Sequence, residues 1–233
     1  MPKNPRVVFV LPRTPGLAGG FAPAVLEWDE TLVASIIKKA QQHSFPIQGG
    51  KRQAAKSNFY AKLNKAEQMH LFALERACFN HAVSQNPLIA DWDNIDLAIL
   101  WAEPETNCQE WHLDTMEAIV AATVVASGHP TPTEFADLKY RDIDVDDDDF
   151  DIVANAMNLP LDWTTLQPAS RPRWCFDPKT LFTFMANAVH RGPAIPKGAP
   201  ARVSFFFSWG PHGSDTAETG VFVNQTFSTA TAI

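Results

Sequence analysis

The tetrapeptide Trp111-His112-Leu113-Asp114 places an imidazole and a carboxylate two residues apart. On a β-strand, residues i and i+2 point to the same face, so both side chains would project into one cavity. They could supply two of the three ligands of a 2-His-1-carboxylate triad, which holds non-haem Fe(II) and leaves coordination positions open. Because the chain has 7 histidines and many aspartates, the pair alone is a weak signal.

A second group of polar residues follows in the C-terminal half. His190 comes after the strand-like run Leu181–Met185 and before a Gly-Pro turn, and Arg202 and Ser204 then share one face of an apolar strand. A buried guanidinium needs an anionic partner. Its planar fork beside a hydroxyl suits a carboxylate. The carboxylate could belong to a ligand or to an aspartate of this chain.

The order His112-x-Asp114, His190, Arg202-x-Ser204 resembles the motif of the Fe(II)- and 2-oxoglutarate-dependent oxygenase superfamily. The segment Pro130–Phe135 is similar to the region after the third core strand of many members. The resemblance covers roughly residues 95 to 210. It implies a double-stranded β-helix, a jelly roll with helices packed outside it.

The resemblance also implies a reaction. His112, Asp114 and His190 would be the iron ligands, and the cofactors would be Fe(II), 2-oxoglutarate and O2. The cosubstrate would leave as succinate and CO2. Because halogenases of the superfamily carry a small residue in place of Asp114, the implied outcome is hydroxylation, desaturation or ring formation.

The same resemblance assigns the cosubstrate contacts. Arg202 would pair with the distal carboxylate of 2-oxoglutarate, and Ser204 would add a hydrogen bond. Thr133 or Thr123 would assist.

Strand alternation suggests two substrate residues. Glu110 would share the inward face with His112, and Phe206 would continue the face of Arg202. An exposed strand-start glutamate and a barrel-filling phenylalanine are the alternatives. His129 and His212 are rival metal ligands, although both lie in turn-like Gly-Pro surroundings.

Two helices should precede the strands. Asp29 can cap a helix with an apolar stripe from Leu32 to Ala40. Asn64 and Glu67 have capping-box spacing and should begin a longer helix that ends before Pro87. Its predicted apolar stripe is Met69, Phe72, Ala73, Leu74, Ala77 and Phe79.

Apolar and β-branched runs predict the strands, which are Val7–Leu11, Ile95–Trp101, Glu110–Leu113, Ile119–Ser127, Thr180–Met185, Val203–Trp209 and Val221–Phe227. The order indicates an α+β chain. We expect a single domain over residues 1–233, with a helical part over about 1–90 and a jelly-roll core over about 91–227.

Composition narrows the partners. The net charge is −7, but Asp142–Asp151 holds seven aspartates, and the rest of the chain is neutral. Without a basic field, nucleic-acid binding is not expected. The acidic segment reads as an exposed loop, since it lacks the glycine and glutamate of an EF-hand.

The remaining expectations concern location and ligand. No apolar run is long enough for a membrane helix. Three cysteines without CxxC spacing suit a reducing, cytoplasmic setting. With 16 Phe and 7 Trp, the interior suits a small organic metabolite or an amino-acid derivative. The sequence leaves open whether the protein is a monomer or a homodimer.

Two other classes stay open at this point. One is a cupin-like metal enzyme that does not use 2-oxoglutarate, although such a site would leave Arg202 and Ser204 without a function. The other is a non-catalytic jelly-roll binding subunit, although such relatives often lose a metal ligand.

Overall fold

The computed structural model describes residues 2–11, 21–47, 51–112, 114, 119–130, 133–136, 177–186 and 188–211. Several predicted features lie outside these residues, namely Val221–Phe227, His212, and the acidic segment Asp142–Asp151.

Helix α1 spans Glu30–Gln41 and begins at the predicted cap. The Asp29 carboxylate accepts a hydrogen bond from the backbone N–H of Leu32 at 3.0 Å, which satisfies a donor that has no partner inside the helix. The buried side of the helix is Val33, Ile36 and Ala40.

Helix α2 spans Lys65–Gln85 and begins with the predicted capping box. The Asn64 side chain accepts from the Glu67 N–H at 2.9 Å, and the Glu67 carboxylate accepts from the Asn64 N–H at 2.7 Å. Glu67 also binds Lys39 of α1 at 2.6 Å, so the cap joins the two helices.

The apolar stripe predicted for α2 is wrong in part. Met69 and Phe72 are 63% and 59% exposed, whereas Leu71 and Leu74 are buried. The inward face follows Leu71, Leu74 and Cys78, at helical spacings of three and four residues. Apolar composition therefore predicted the wrong buried face for part of α2, because packing against the rest of the protein decides which side chains are buried.

Ten strands occur within the described residues. They are β1 (Arg6–Val10), β2 (Ala24–Glu27), β3 (Phe45–Ile47), β4 (Arg52–Lys56), β5 (Asp93–Ala102), β6 (Val120–Ser127), β7 (Glu134–Phe135), β8 (Thr180–Met185), β9 (His190–Arg191) and β10 (Arg202–Gly210). Short 3-10 turns cover Ser57–Lys62 and Pro87–Ile89.

Eight strands form one antiparallel sheet in the order β1-β2-β8-β6-β10-β5-β4-β3. The apolar runs predicted β5, β6, β8 and β10. The strands β2, β3 and β4 were not predicted, since they are short and lack clear alternation. The first 90 residues thus contribute four strands as well as both helices.

The two faces of the large sheet pack against different partners. On β10, Phe205, Phe207 and Trp209 face the helices and are fully buried. The Trp209 indole N–H donates to Glu75 of α2 at 2.5 Å. Ser204 and Phe206, which alternate with these residues along β10, face the opposite side.

That opposite side is covered by the short pair β7-β9. Phe135 of β7 lies 5.5 Å from Phe182 and 5.0 Å from Phe184, measured between ring centroids. A large antiparallel sheet closed by a smaller one, with helices outside, is the double-stranded β-helix that the resemblance implied. Within the described residues, no helix is both long and apolar enough to cross a membrane.

Candidate metal centre

Backbone pairing brings the two histidines together. His112 and His190 form an antiparallel bridge, in which each N–H donates to the other's carbonyl oxygen at 2.9 Å. The Asp114 N–H donates to the carbonyl of Ala186 at 3.0 Å. Three side chains that are far apart in sequence are thus held at one place by main-chain hydrogen bonds.

Their polar atoms converge. The Asp114 carboxylate oxygens lie 3.8 Å from His112 Nε2 and 3.5 Å from His190 Nε2. One candidate ligand atom from each residue lies within 4.8 Å of the others. A divalent ion bonded at about 2.1 Å to each ligand atom would need those atoms to lie about 3 Å apart. Small side-chain movements would bring them to that distance.

The backbone also sets the tautomer of each imidazole. His112 Nδ1 lies 2.8 Å from the carbonyl oxygen of Glu110, and His190 Nδ1 lies 2.8 Å from that of Ala188. A carbonyl oxygen only accepts, so each Nδ1 carries the proton. Each ring then presents Nε2, the nitrogen nearer Asp114, as the atom available to a metal.

The electrostatics of the cluster suit a bound cation. Burial, followed by the neighbouring His190, lowers the pKa of His112 to about 4, so its ring is neutral at pH 7. The Asp114 Oδ2 atom is buried without a hydrogen-bond partner among the described residues. A buried carboxylate oxygen without a hydrogen-bond partner is costly, and a bound cation would offset that cost.

The cluster opens onto a cavity between the two sheets. Its described lining residues are Ile47, Arg52, Leu100, Trp101, Ala102, Gln109, His112, Asp114, Thr123, Thr133, Phe184, His190, Gly192, Arg202, Ser204 and Phe206. Asp114 is the one carboxylate among them. The cavity therefore combines apolar walls with a few polar groups.

Arg202 is a buried cation in this cavity. It is 7% exposed, and its Nε has no hydrogen-bond partner among the described residues. Burial and the nearby charge of Arg52 lower the pKa of Arg202 to about 10, which leaves it protonated at neutral pH. This environment fits the carboxylate of a ligand better than an aspartate partner from this chain.

The other predicted site residues separate into two groups. Phe206, Thr123 and Thr133 line the cavity. Glu110 is exposed, and its backbone carbonyl contacts His112. Of the rival histidines, His129 is not part of the His-Asp-His cluster.

Sequence reasoning missed Arg52. It lies on β4, is 7% exposed, and lines the cavity with Arg202. Residues 52–56 are neither apolar nor alternating enough to indicate a strand, so no signal placed this guanidinium in the interior. Gln109 and Gly192, which also line the cavity, lie in loops that carry no motif.

Comparison with solved structures identifies the fold. AviO1 from Streptomyces viridochromogenes Tue57 is 14% identical, with a TM-score of 0.54 over 85% of this chain and 92% of its own. SnoK, a non-heme alpha ketoglutarate dependent carbocyclase from nogalamycin biosynthesis, is 12% identical, with a TM-score of 0.52 over 78% and 74%. SnoN, an epimerase from the same biosynthesis, is 14% identical, with a TM-score of 0.52 over 78% and 72%.

These likenesses show that the chain has the double-stranded β-helix fold of those proteins. No protein-family model matches the sequence. No curated protein matches it either. The fold is therefore shared at a sequence identity too low to carry over a substrate.

Proposed function

We propose that this chain is an Fe(II)- and 2-oxoglutarate-dependent oxygenase that acts on a small organic molecule. One observation carries the proposal. A His-Asp-His cluster, in which both Nδ1 atoms bond to backbone carbonyls and Asp114 Oδ2 has no hydrogen-bond partner among the described residues, shares a cavity with the buried guanidinium of Arg202. The fold supports it, since SnoK and SnoN are described as alpha ketoglutarate dependent.

In this proposal His112, Asp114 and His190 hold the metal. Iron bound there would supply the oxidative chemistry that couples the decarboxylation of 2-oxoglutarate to oxidation of a substrate C–H bond. Three protein ligands of this type would hold the iron and leave coordination positions for the cosubstrate and O2. The carbonyls of Glu110 and Ala188 keep both imidazoles in the tautomer that this role needs.

Arg202 and Ser204 would hold the distal carboxylate of 2-oxoglutarate. Both project from β10 into the cavity, which Phe184 and Phe206 line with apolar surface. A charged hydrogen bond is stronger where water is excluded. Thr123 and Thr133 would offer further hydroxyl contacts.

The ligand set limits the type of reaction that we propose. With Asp114 present, we propose hydroxylation, desaturation or ring formation.

A cupin-like function would leave the buried Arg202 unused. We also propose that residues 1–233 form one domain, because strands before residue 90 and after residue 177 share one sheet.

The test is succinate release by the purified protein with Fe(II), ascorbate and 2-oxoglutarate. We expect slow uncoupled turnover in the unmodified protein and none in His112→Ala or Asp114→Ala. His129→Ala is the matched control, since His129 lies outside the cluster, and it should retain turnover. Full activity in either ligand variant, or none in the unmodified protein, would contradict the proposal.

A further inference from the structure

The cavity holds a second buried cation that the proposed reaction does not use. Arg52 and Arg202 lie on one row of the sheet, and each pairs in register with Ala102 of β5 from opposite sides. All three residues line the cavity. The residue between the two arginines on this row is therefore a small one, Ala102.

Neutral contacts fix the orientation of Arg52. Its Nη2 donates to the carbonyl oxygens of Asn107 at 3.0 Å and Pro193 at 2.5 Å. A guanidinium has five N–H donors, so these two bonds leave Nε and Nη1 for other partners. Nη1 lies beside Gly192, 2.9 Å from where a Cβ at that position would stand.

The charges of the described lining residues do not balance without a further anion. Asp114 is the one carboxylate among the described lining residues, and it faces the two imidazoles. A divalent ion and doubly charged 2-oxoglutarate cancel each other, and Asp114 cancels Arg202. Arg52 then remains as a buried cation without a counter-charge among the described lining residues, which is a costly state in a low-dielectric site.

The position of Arg52 indicates where that anion would enter. Arg202 is on the central strand β10, whereas β4 lies two strands nearer the sheet edge. Arg52 contacts the loop that carries the exposed residues Asn107 and Cys108. Arg52 thus lies toward the rim of the cavity.

We infer that Arg52 is an anion-binding residue for the organic substrate, so that the substrate carries a carboxylate or a phosphate group. The inference rests on the proposed function, since it assigns Arg202 to 2-oxoglutarate. Arg52 would hold the acidic group at the rim and so orient the rest of the molecule toward the His-Asp-His cluster. Its two carbonyl contacts pre-organise the guanidinium, which reduces the entropy lost on binding.

The experiment measures binding rather than turnover. The full chain is saturated with Mn(II) and 2-oxoglutarate, so that Arg202 is occupied, and is then titrated with matched probes. Phenylacetate and phenylacetamide share a ring and differ in charge, as do benzyl phosphate and benzyl alcohol. The readouts are the Kd from calorimetry and the change in Tm.

In the unmodified protein we expect the acids to bind at least about tenfold more tightly than their neutral partners. Arg52→Gln should abolish that difference, and Arg52→Lys should keep part of it. Lys51→Gln is the matched control, because it removes the same charge from an exposed neighbour outside the cavity. It should leave the difference intact.

Two results would overturn the inference. One is equal binding of acid and neutral probes by the unmodified protein, which needs no variant to fold. The other is a loss of 2-oxoglutarate affinity in Arg52→Gln as large as in Arg202→Gln, which would assign Arg52 to the cosubstrate. If 2-oxoglutarate shows no metal-dependent binding while acid probes still require Arg52, the proposed function fails and the anion site stands.

Discussion

At the scale of single residues, two buried polar atoms in the cavity support the proposed metal and cosubstrate sites. Asp114 Oδ2 and Arg202 Nε are both buried polar atoms without a hydrogen-bond partner among the described residues. Native interiors rarely leave such atoms unsatisfied. The negative charge of Asp114 suits a metal ion, and the positive charge of Arg202 suits the carboxylate of a ligand.

Replacing Arg202 should therefore have opposite effects on binding and on stability. We expect Arg202→Met to raise the half-saturating concentration of 2-oxoglutarate about 30-fold or more, because a charge-assisted contact is lost. The ligand-free variant should be more stable than the unmodified protein, since an unpaired buried cation is gone. Succinate assays and urea unfolding measure the two quantities. Ser204→Ala is the milder comparison, and a ligand-free Arg202→Met that is less stable would contradict this account.

The lowered pKa of His112 predicts a pH dependence of the metal-free protein. Its folded pKa is about 4, below the ordinary value of 6.5, so between these values the unfolded chain binds a proton that the folded chain does not. Stability is fully present above about pH 6.5 and declines as the pH falls toward about 4, by at most about 1.4 kcal/mol per pH unit from this group. His112→Asn should reduce the slope of unfolding free energy against pH. Equal slopes would show that folding does not lower the pKa of His112.

At the scale of elements, alternation along a strand decides which face of the sheet a side chain points to. The turns decide where each strand begins. β10 directs Phe205 and Phe207 toward the helices, and Ser204 and Phe206 toward the cavity. The turn after β6 packs directly against the start of β10. There, a Cβ on Gly128 would lie 1.8 Å from the Ala201 carbonyl oxygen and 2.9 Å from the Arg202 Cα.

Gly128→Ala should thus disturb both the fold and the cavity. Gly128 has φ +98°, and Gly198 has φ +77° with open space around it, so Gly198→Ala is a control for backbone strain alone. We expect the control to lose about 1–2 kcal/mol of unfolding free energy. Gly128→Ala should lose more and should also weaken 2-oxoglutarate binding. Equal losses in urea unfolding would show that the close approach to Ala201 relaxes freely.

At the scale of the whole molecule, the metal cluster joins the sheet to its cover. His190 belongs to the small β7-β9 sheet, and Asp114 hydrogen-bonds to Ala186 just after β8 of the large sheet. An ion held by both would link the two layers. Because a ligand that binds only the folded state stabilises it, loading should be visible in the thermal unfolding of the whole chain.

We expect Mn(II) and 2-oxoglutarate together to raise Tm, and a chelator to reverse the rise. At a ligand concentration about 100 times Kd the stabilisation would be about 2.7 kcal/mol. His112→Ala should show no metal-dependent rise, whereas His129→Ala should behave like the unmodified protein. A rise that persists in His112→Ala would place the bound metal elsewhere.

Local sequence determined the elements whose stabilising contacts are local. The caps at Asp29 and Asn64 bond to N–H groups three residues ahead, and the bounds Thr180–Met185 agree with β8. The Arg202-x-Ser204 motif also depends on neighbours two residues apart on β10. Such features can be predicted because their geometry is set within one turn or one strand. The strand predicted over Glu110–Leu113 is not among the strands of the described residues, since His112 forms an isolated bridge and Asp114 lies in a bend.

Only the tertiary structure decided which distant groups meet. The pairing of His112 with His190 and the placement of Arg52 beside Ala102 depend on strand order and register, which a short polar strand does not encode by itself. The exposure of Met69 and Phe72 was decided in the same way, because an apolar side chain is buried only where a partner surface covers it.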